Sequence, residues 1–192
     1  MSTDRPTSLR VFVIGCSGSG KTTLARLIAE RFGVPLHELD FIAWDREGDG
    51  SLLPHERRVE IASEISQGDG WVAEGIYLGW TTTLMERADL VVWTDVRLRT
   101  ALWRIFWRHV KAELRRDNQF PGWRRLVKFM RLVSDQYRGR STVFEAPDVP
   151  ISPGNIQRHV EPFESKLMRG SGQNFYDQVI AALESQNLFD ER

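Results

Sequence analysis

The chain has 192 residues, with 26 Lys and Arg against 26 Asp and Glu and a formal net charge of zero. That length suits one domain with a sizeable core, and the balanced charge gives no global reason to expect a nucleic-acid partner. Cys16 is the only cysteine, which excludes an internal disulfide and a cysteine metal cluster. With a polar Met1 to Ser8 and no long apolar run, the expectation is a soluble, cytoplasmic protein with no membrane partner.

Residues 1–8 read as a loose tail. Leu9 to Ile14 is rich in β-branched residues, as a buried parallel strand should be. It runs into Gly15-Cys16-Ser17-Gly18-Ser19-Gly20-Lys21-Thr22, which fits G-x-x-x-x-G-K-[ST], the phosphate-binding P-loop. The glycines allow a tight turn that points several N–H groups at one anion. The following helix adds its positive end. Lys21 is expected to reach the β- and γ-phosphates, and the Thr22 hydroxyl to sit on Mg²⁺. Residues 15 to 23, Thr23 included, form the expected nucleotide cradle. Thr23 to Phe32 is helical, with Leu24, Leu27 and Ile28 on one face, stopped by Gly33 with Pro35 beyond it.

Pro35 to Asp40 reads as a short second strand ending on an acid, and Phe41 to Ser51, which holds Trp44, as a loop. Pro54 to Ser66 has Val59, Ala62 and Ile65 at helical spacing before Gly68-Asp69-Gly70 breaks it. Trp71 to Glu74 is the third strand, followed by Gly75; Leu78 to Arg87 is a short helix; Leu90 to Trp93 is the fourth strand, closed by Thr94-Asp95. Strands alternating with helices predict a parallel sheet covered on both faces.

Val96 to about Arg116 is a long helix with Leu102, Ile105, Phe106 and Val110 as its apolar face. Pro121-Gly122 interrupts, and Trp123 to Tyr137 is a second helix with Leu126, Val127, Met130 and Val133 inward. Residues 138–163 hold four prolines without a clean period and read as an irregular flap or an unrecognised element. Lys166-Leu167-Met168 fits a brief fifth strand, and Phe175 to Ser185 a closing helix with Val179, Ile180 and Leu183 inward.

Three features narrow the chemistry. Glu74 ends a strand, where acids beside a P-loop hold Mg²⁺ directly or through water; the alternative is a surface acid. Asp40 lies where ligands of parallel sheets collect, and is placed to bind Mg²⁺ or to accept the proton of an attacking hydroxyl; the alternative is a loop acid. Arg104 and Arg108, four apart, share a helix face and suit the spreading charge of a transferring phosphoryl group; the alternative is a solvated basic face. Arg97 to Arg140 holds thirteen Lys and Arg against three acids, a local excess of +10, so the rest of the chain carries −10. That repulsion implies a hairpin that is mobile or held off the core when free. Trp103, Trp107 and Trp123 interleave with these cations, and single-stranded nucleic acid is the rival partner; most of these aromatics fall near apolar faces and are assigned to the core. Cys16 reads as a spacer in the loop, and the four histidines show no metal-ligand spacing.

With these residues in place, the chain resembles the adenylate-kinase-like branch of the P-loop kinases. Within it, the chain is similar to the bacterial proteins labelled DNA topology modulation protein. The resemblance runs from about Leu9 to Tyr137 and rests on residues 15–22, Leu39-Asp40 with Trp44, the run Trp71 to Tyr77, and Asp95-Val96 followed by Arg104 and Arg108. It implies a three-layer α/β P-loop NTPase fold with a five-stranded parallel sheet in the order 2-3-1-4-5. The lid of adenylate kinases is replaced here by a helical basic hairpin at 96–137, which its charge and the spacing of Arg104 and Arg108 lead one to expect as the helical lid over the site. The resemblance also implies that ATP and Mg²⁺ are cofactors, that Glu74 takes the place of the metal-site acid, that Arg104 covers the ATP base and that Arg108 touches phosphates. Gly75-Ile76-Tyr77 lacks the arginine with which adenylate kinases hold an acceptor nucleotide, so a nucleoside monophosphate acceptor is not implied. The resulting expectation is one domain over 1–192, a monomer or homodimer, acting as an ATP-dependent kinase of a small acceptor. Lys21, Asp40 and Arg108 would be its catalytic residues, with the acceptor between Asp40, Trp44, Arg57 or Arg58, and Tyr77. The alternative is a nucleic-acid-binding or regulatory P-loop ATPase.

Overall fold

The computed structural model describes residues 8–45, 51–115, 122–141 and 148–190. The expected tail, part of the Gly/Asp loop, Arg116 with the tip of the helical hairpin, and residues 142–147 of the expected flap lie outside the described residues.

The alternating pattern of β1 (Arg10–Ile14) sets the layers. Val11 and Val13 point to one face, where α1 (Lys21–Phe32) and α8 (Gln173–Asp190) cover the sheet through Leu24, Ile28, Val179 and Leu183. Phe12 and Ile14 point to the other, and join a core that includes Trp71, Leu84, Met85, Ile151 and Ile156. Elements α3 (His55–Ser66), α4 (Thr82–Arg87) and α7 (Pro153–Val160) contribute to it. Both strand faces are therefore dry, as parallel sheets require.

Five strands lie in the order β2-β3-β1-β4-β5, the order that the resemblance implied. They are β2 (Leu36–Glu38), β3 (Trp71–Gly75), β4 (Leu90–Thr94) and β5 (Leu167–Gly170) around β1, and every pairing is parallel. The register sets Ile14 beside Gly75 and Trp93, so the carboxyl ends of the three central strands finish level with the P-loop.

Some boundaries differ from the sequence reading. The second strand stops at Glu38, and Asp40 belongs to the one-turn helix α2 (Leu39–Ile42), closed by the Ala43 N–H on the Leu39 carbonyl. The acid that ends β2 is Glu38, and Arg26 holds it at 2.6 Å. Only Phe41 and Ile42 of the expected loop are helical, and Trp44 forms an antiparallel bridge with Leu52. The long helix is α5 (Leu98–Arg115), with Ala101, Ile105 and His109 buried rather than Phe106. Its partner α6 (Trp123–Tyr137) has the expected bounds.

The largest correction falls on 138–163. Its second half is ordered: Ser152 caps α7 by accepting the Asn155 N–H, Pro153 opens the helix, and a 3-10 turn over Glu161–Lys166 leads into β5. The signals were a serine cap followed by a proline at the first helical position. Ile156 and Val160, four apart, were the buried pair; eight residues are too few for a period to stand out. Ile156→Ala should lower the free energy of unfolding by about 2–5 kcal/mol, the usual range for emptying a core site. A urea denaturation series measures it; a change below about 0.5 kcal/mol, normal for surface sites, would show that this segment is not part of the core.

Candidate functional site

The P-loop takes its shape from backbone that only small residues tolerate. Gly18 and Gly20 have φ of 79° and 98°, and the Ser19 N–H closes the turn on the Cys16 carbonyl at 3.1 Å. Gly20 caps α1 without a side-chain hydrogen bond. The first-turn amides of α1 therefore face the concavity of the loop, where an oxyanion meets both N–H groups and the helix dipole. Thr94, at the end of β4, buttresses the loop. Its hydroxyl is 2.7 Å from that of Ser19 and donates to the Ile14 carbonyl at 3.3 Å. A Cβ on Gly15 would meet the same hydroxyl. Sequence reasoning treated Thr94 only as a strand end.

Lys21 is 7% exposed, with its ammonium 3.7 Å from Glu74 and 3.9 Å from Asp40. Glu74 is buried at the end of β3 and accepts from the Thr22 hydroxyl at 2.7 Å. Burial pushes the Glu74 pKa up, while Lys21 and the Thr22 hydrogen bond oppose that rise. Two oxygens here, Glu74 Oε2 and Asp40 Oδ1, are buried without a hydrogen-bond partner. Hard, unsatisfied carboxylate oxygens beside a threonine hydroxyl fit Mg²⁺, which takes oxygen ligands and keeps several waters. Among the described residues no cluster of three or more His, Cys, Asp or Glu could hold a metal alone.

The four residues proposed for the acceptor come together on the β2 side. The Trp44 indole donates to the Tyr77 hydroxyl at 3.2 Å. Tyr77 is buried, and its hydroxyl is held protonated first by burial and then by the nearby Asp40 carboxylate. Trp80, absent from the sequence reading, stacks at a tilt on Tyr77 with centroids 5.1 Å apart. Arg58 is 4% exposed and lies over Trp80 at 5.8 Å. Its guanidinium is already engaged, donating to the Leu53 carbonyl at 2.8 Å and to Asp148 at 2.8 Å. Asp148 also meets His55 at 3.2 Å. Asp148 lies in the proline-rich stretch, where no periodic signal could have revealed it.

The opposite side of the P-loop carries α5. Arg104 donates to the Ser19 carbonyl at 2.7 Å, and Tyr176 of α8 donates to the Gly20 carbonyl at 3.0 Å. The hairpin is thus seated on the loop, in contrast to the expectation from its charge. Gly18 explains the seat: a Cβ there would lie 2.8 Å from the Ala101 carbonyl and 3.1 Å from Ile105. Arg108, one turn further along α5, is exposed and lines a groove with Trp103, Trp107, Lys111 and Arg115. Asp95, matched by resemblance, is held by Arg169 at 2.7 Å. The Cys16 thiol is buried and pushed up to about 12, chiefly by burial, so it serves as a spacer.

No protein-family model matches the chain. In sequence it is similar to a shikimate kinase of Sulfurihydrogenibium sp. (strain YO3AOP1), 28% identical over 108 residues, spanning 50% of this chain and 65% of that protein. A shikimate kinase of Moorella thermoacetica is 33% identical over 113 residues, spanning 48% of this chain and 61% of that protein. The chain thus spans less than two thirds of the length of these relatives. In structure it is similar to a gluconokinase from Sinorhizobium meliloti 1021, at a TM-score of 0.52 and 18% identity, covering 98% of this chain and all of that one. It is also similar to the shikimate kinase from Acinetobacter baumannii in complex with shikimate, at a TM-score of 0.51 and 14% identity, covering 94% and 96%. The fold is therefore the P-loop kinase fold shared with these enzymes.

Lys21→Ala should weaken binding of a non-hydrolysable triphosphate far more than binding of the diphosphate, because the ammonium is aimed past the loop; calorimetry with both ligands checks this. Glu74→Gln should raise the Mg²⁺ concentration needed for half-maximal turnover while leaving metal-free nucleotide binding unchanged. An unmoved Mg²⁺ dependence would make Glu74 a structural acid only.

Proposed function

We propose that the protein is a Mg²⁺-requiring kinase that transfers the ATP γ-phosphoryl group to a hydroxyl of a small molecule. The observation that carries this reading is the Lys21 ammonium held between Glu74 and Asp40, with Asp40 Oδ1 buried and unpaired on the side of Trp44 and Tyr77. The two similar shikimate kinases and the shared fold support it.

The P-loop amides and Lys21 bind the phosphates and fix their direction. Thr22 and Glu74, with Asp40 nearby, would hold Mg²⁺, which when bound neutralises charge on the phosphate oxygens. Asp40, whose carboxylate is partly open to solvent beside Tyr77, accepts the proton of the acceptor hydroxyl. Trp44, Tyr77 and Trp80 form the acceptor wall. Arg58 meets the acceptor only with the nitrogen that Asp148 and Leu53 leave over. Arg104 holds α5 against the loop, and Arg108 faces the charge that spreads over the moving group. The finer resemblance, to the proteins labelled DNA topology modulation protein, is part of this proposal and adds no substrate.

A panel of hydroxyl compounds with ATP tests the reading. It should include shikimate, gluconate, other sugars and nucleosides, read by product mass. Asp40→Asn should lower turnover of any accepted compound by about 10²–10⁴-fold, the scale of general base catalysis, with ATP affinity retained. Turnover equal to wild type would remove Asp40 from the chemistry.

A further inference from the structure

Beyond Arg104 and Arg108, the outer side of the α5–α6 hairpin carries residues that the kinase reading leaves unassigned. Its aromatics, assigned to the core from sequence, are in the open: Trp103 is 63% exposed and Trp123 56%. Trp107, Phe106 and Val127 are exposed as well, and Leu114 is 79% exposed. The rings form one continuous strip. Trp103 meets Trp107 at 6.1 Å, Trp107 meets Phe106 at 5.8 Å, and Phe106 meets Trp123 at 6.2 Å, which carries the strip from one helix to the other. Exposed cations flank it: Lys111 and Arg115 on α5, and Arg124, Arg125, Lys128 and Arg131 on α6. The groove along α5, about 670 Å³, begins at Arg104 and Arg108 and runs on past Trp103, Trp107, Lys111 and Arg115, with no acid in its lining.

We infer that this face is a peripheral docking surface for anionic phospholipid membranes. Three occupants could answer its charge and apolar strip, and the geometry separates them. Single-stranded nucleic acid needs open ring faces for base stacking. Here two of the three ring pairs meet edge against face, at 62° and 81°, only Phe106 and Trp123 lie tilted at 39°, and Leu114 and Val127 offer no plane at all. A second copy would set two hairpins of excess charge +10 against each other. A phospholipid surface suits every part: tryptophan and aliphatic groups enter the headgroup boundary, while lysine and arginine meet lipid phosphates. The rest of the chain carries −10, so the molecule is strongly dipolar and approaches an anionic surface hairpin first. No helix among the described residues is long and apolar enough to cross a membrane, so this mode is one of lying on the surface. The inference rests on the strip and cations beyond Arg104 and Arg108, the two groove residues that the proposed kinase reaction also uses.

Co-sedimentation of the full chain tests it, with phosphatidylcholine vesicles and with equal mixtures of phosphatidylcholine and phosphatidylglycerol. Binding is expected only to the anionic vesicles, with a blue shift of tryptophan emission, quenching by brominated acyl chains, and loss at high salt. Lys111→Ala with Arg115→Ala should lower the partition coefficient about 25-fold, at roughly fivefold per cation. Leu114→Ser with Trp103→Ser and Trp123→Ser should weaken binding and remove most of the blue shift. Equal binding to neutral vesicles, or none to anionic ones at low salt, overturns the inference. So does preferential binding of an oligothymidine that these variants abolish, or a dimer in solution that they dissociate.

Discussion

One ammonium between two carboxylates governs this molecule. Lys21, almost fully buried, faces Glu74 and Asp40 at under 4 Å, and Glu74 has nowhere else to put its second oxygen. Burying charges without full pairing is costly, and the site as it stands holds one more negative than positive charge. Burial has already pushed the Glu74 pKa up, which marks the cost. A proton on Glu74 relieves the excess, and so would a cation joining the carboxylates with an anion on the lysine. A metal-bound polyphosphate supplies both at once. The rest of the fold serves that position: β1 and β3 end level with each other, Thr94 braces the loop, and α1 aims its amide end inward.

Much of this was legible in sequence because it depends on local chemistry. The glycine spacing of the P-loop, the β-branched strands and the strand-end glutamate each have one dominant physical reading. The sheet order followed from resemblance, and its register then brought Thr22 to Glu74 without further signal. What failed was of another kind. Asp40 was expected on a strand, but the chain turns helical at Leu39, and the acid that ends β2 is spent on Arg26. The helix over 153–160 is too short for periodicity, and only its cap betrayed it. Asp148, which fixes Arg58, is a lone acid whose partner lies 90 residues away.

The tryptophans show a limit of reading helical faces. Trp103 and Trp107 lie beside apolar positions on α5, and an aromatic beside an apolar stripe is normally drawn inward. The stripe on α5 is narrow, though. Ala101, Ile105 and His109 fill it, because Gly18 admits the Ala101 carbonyl so closely that no large side chain fits between helix and loop. The tight seat on the P-loop therefore expels the bulky rings to the outside. The position of Trp103 is a consequence of a glycine 85 residues earlier, which no window along the helix contains.

That same seat ties the two faces of the hairpin together. The inner face is pinned by Arg104 on the Ser19 carbonyl and by Ile105 against Gly18. From Ala101 to Arg115 the helix runs about 21 Å, at about 1.5 Å per residue, and a continuous helix of that length moves as a body. Whatever holds the outer cations also holds α5 at one angle over the phosphate site. If a bound nucleotide favours one angle, thermodynamic linkage makes that preference mutual: occupancy of the P-loop changes affinity at the outer face by the factor through which the outer face changes affinity for nucleotide.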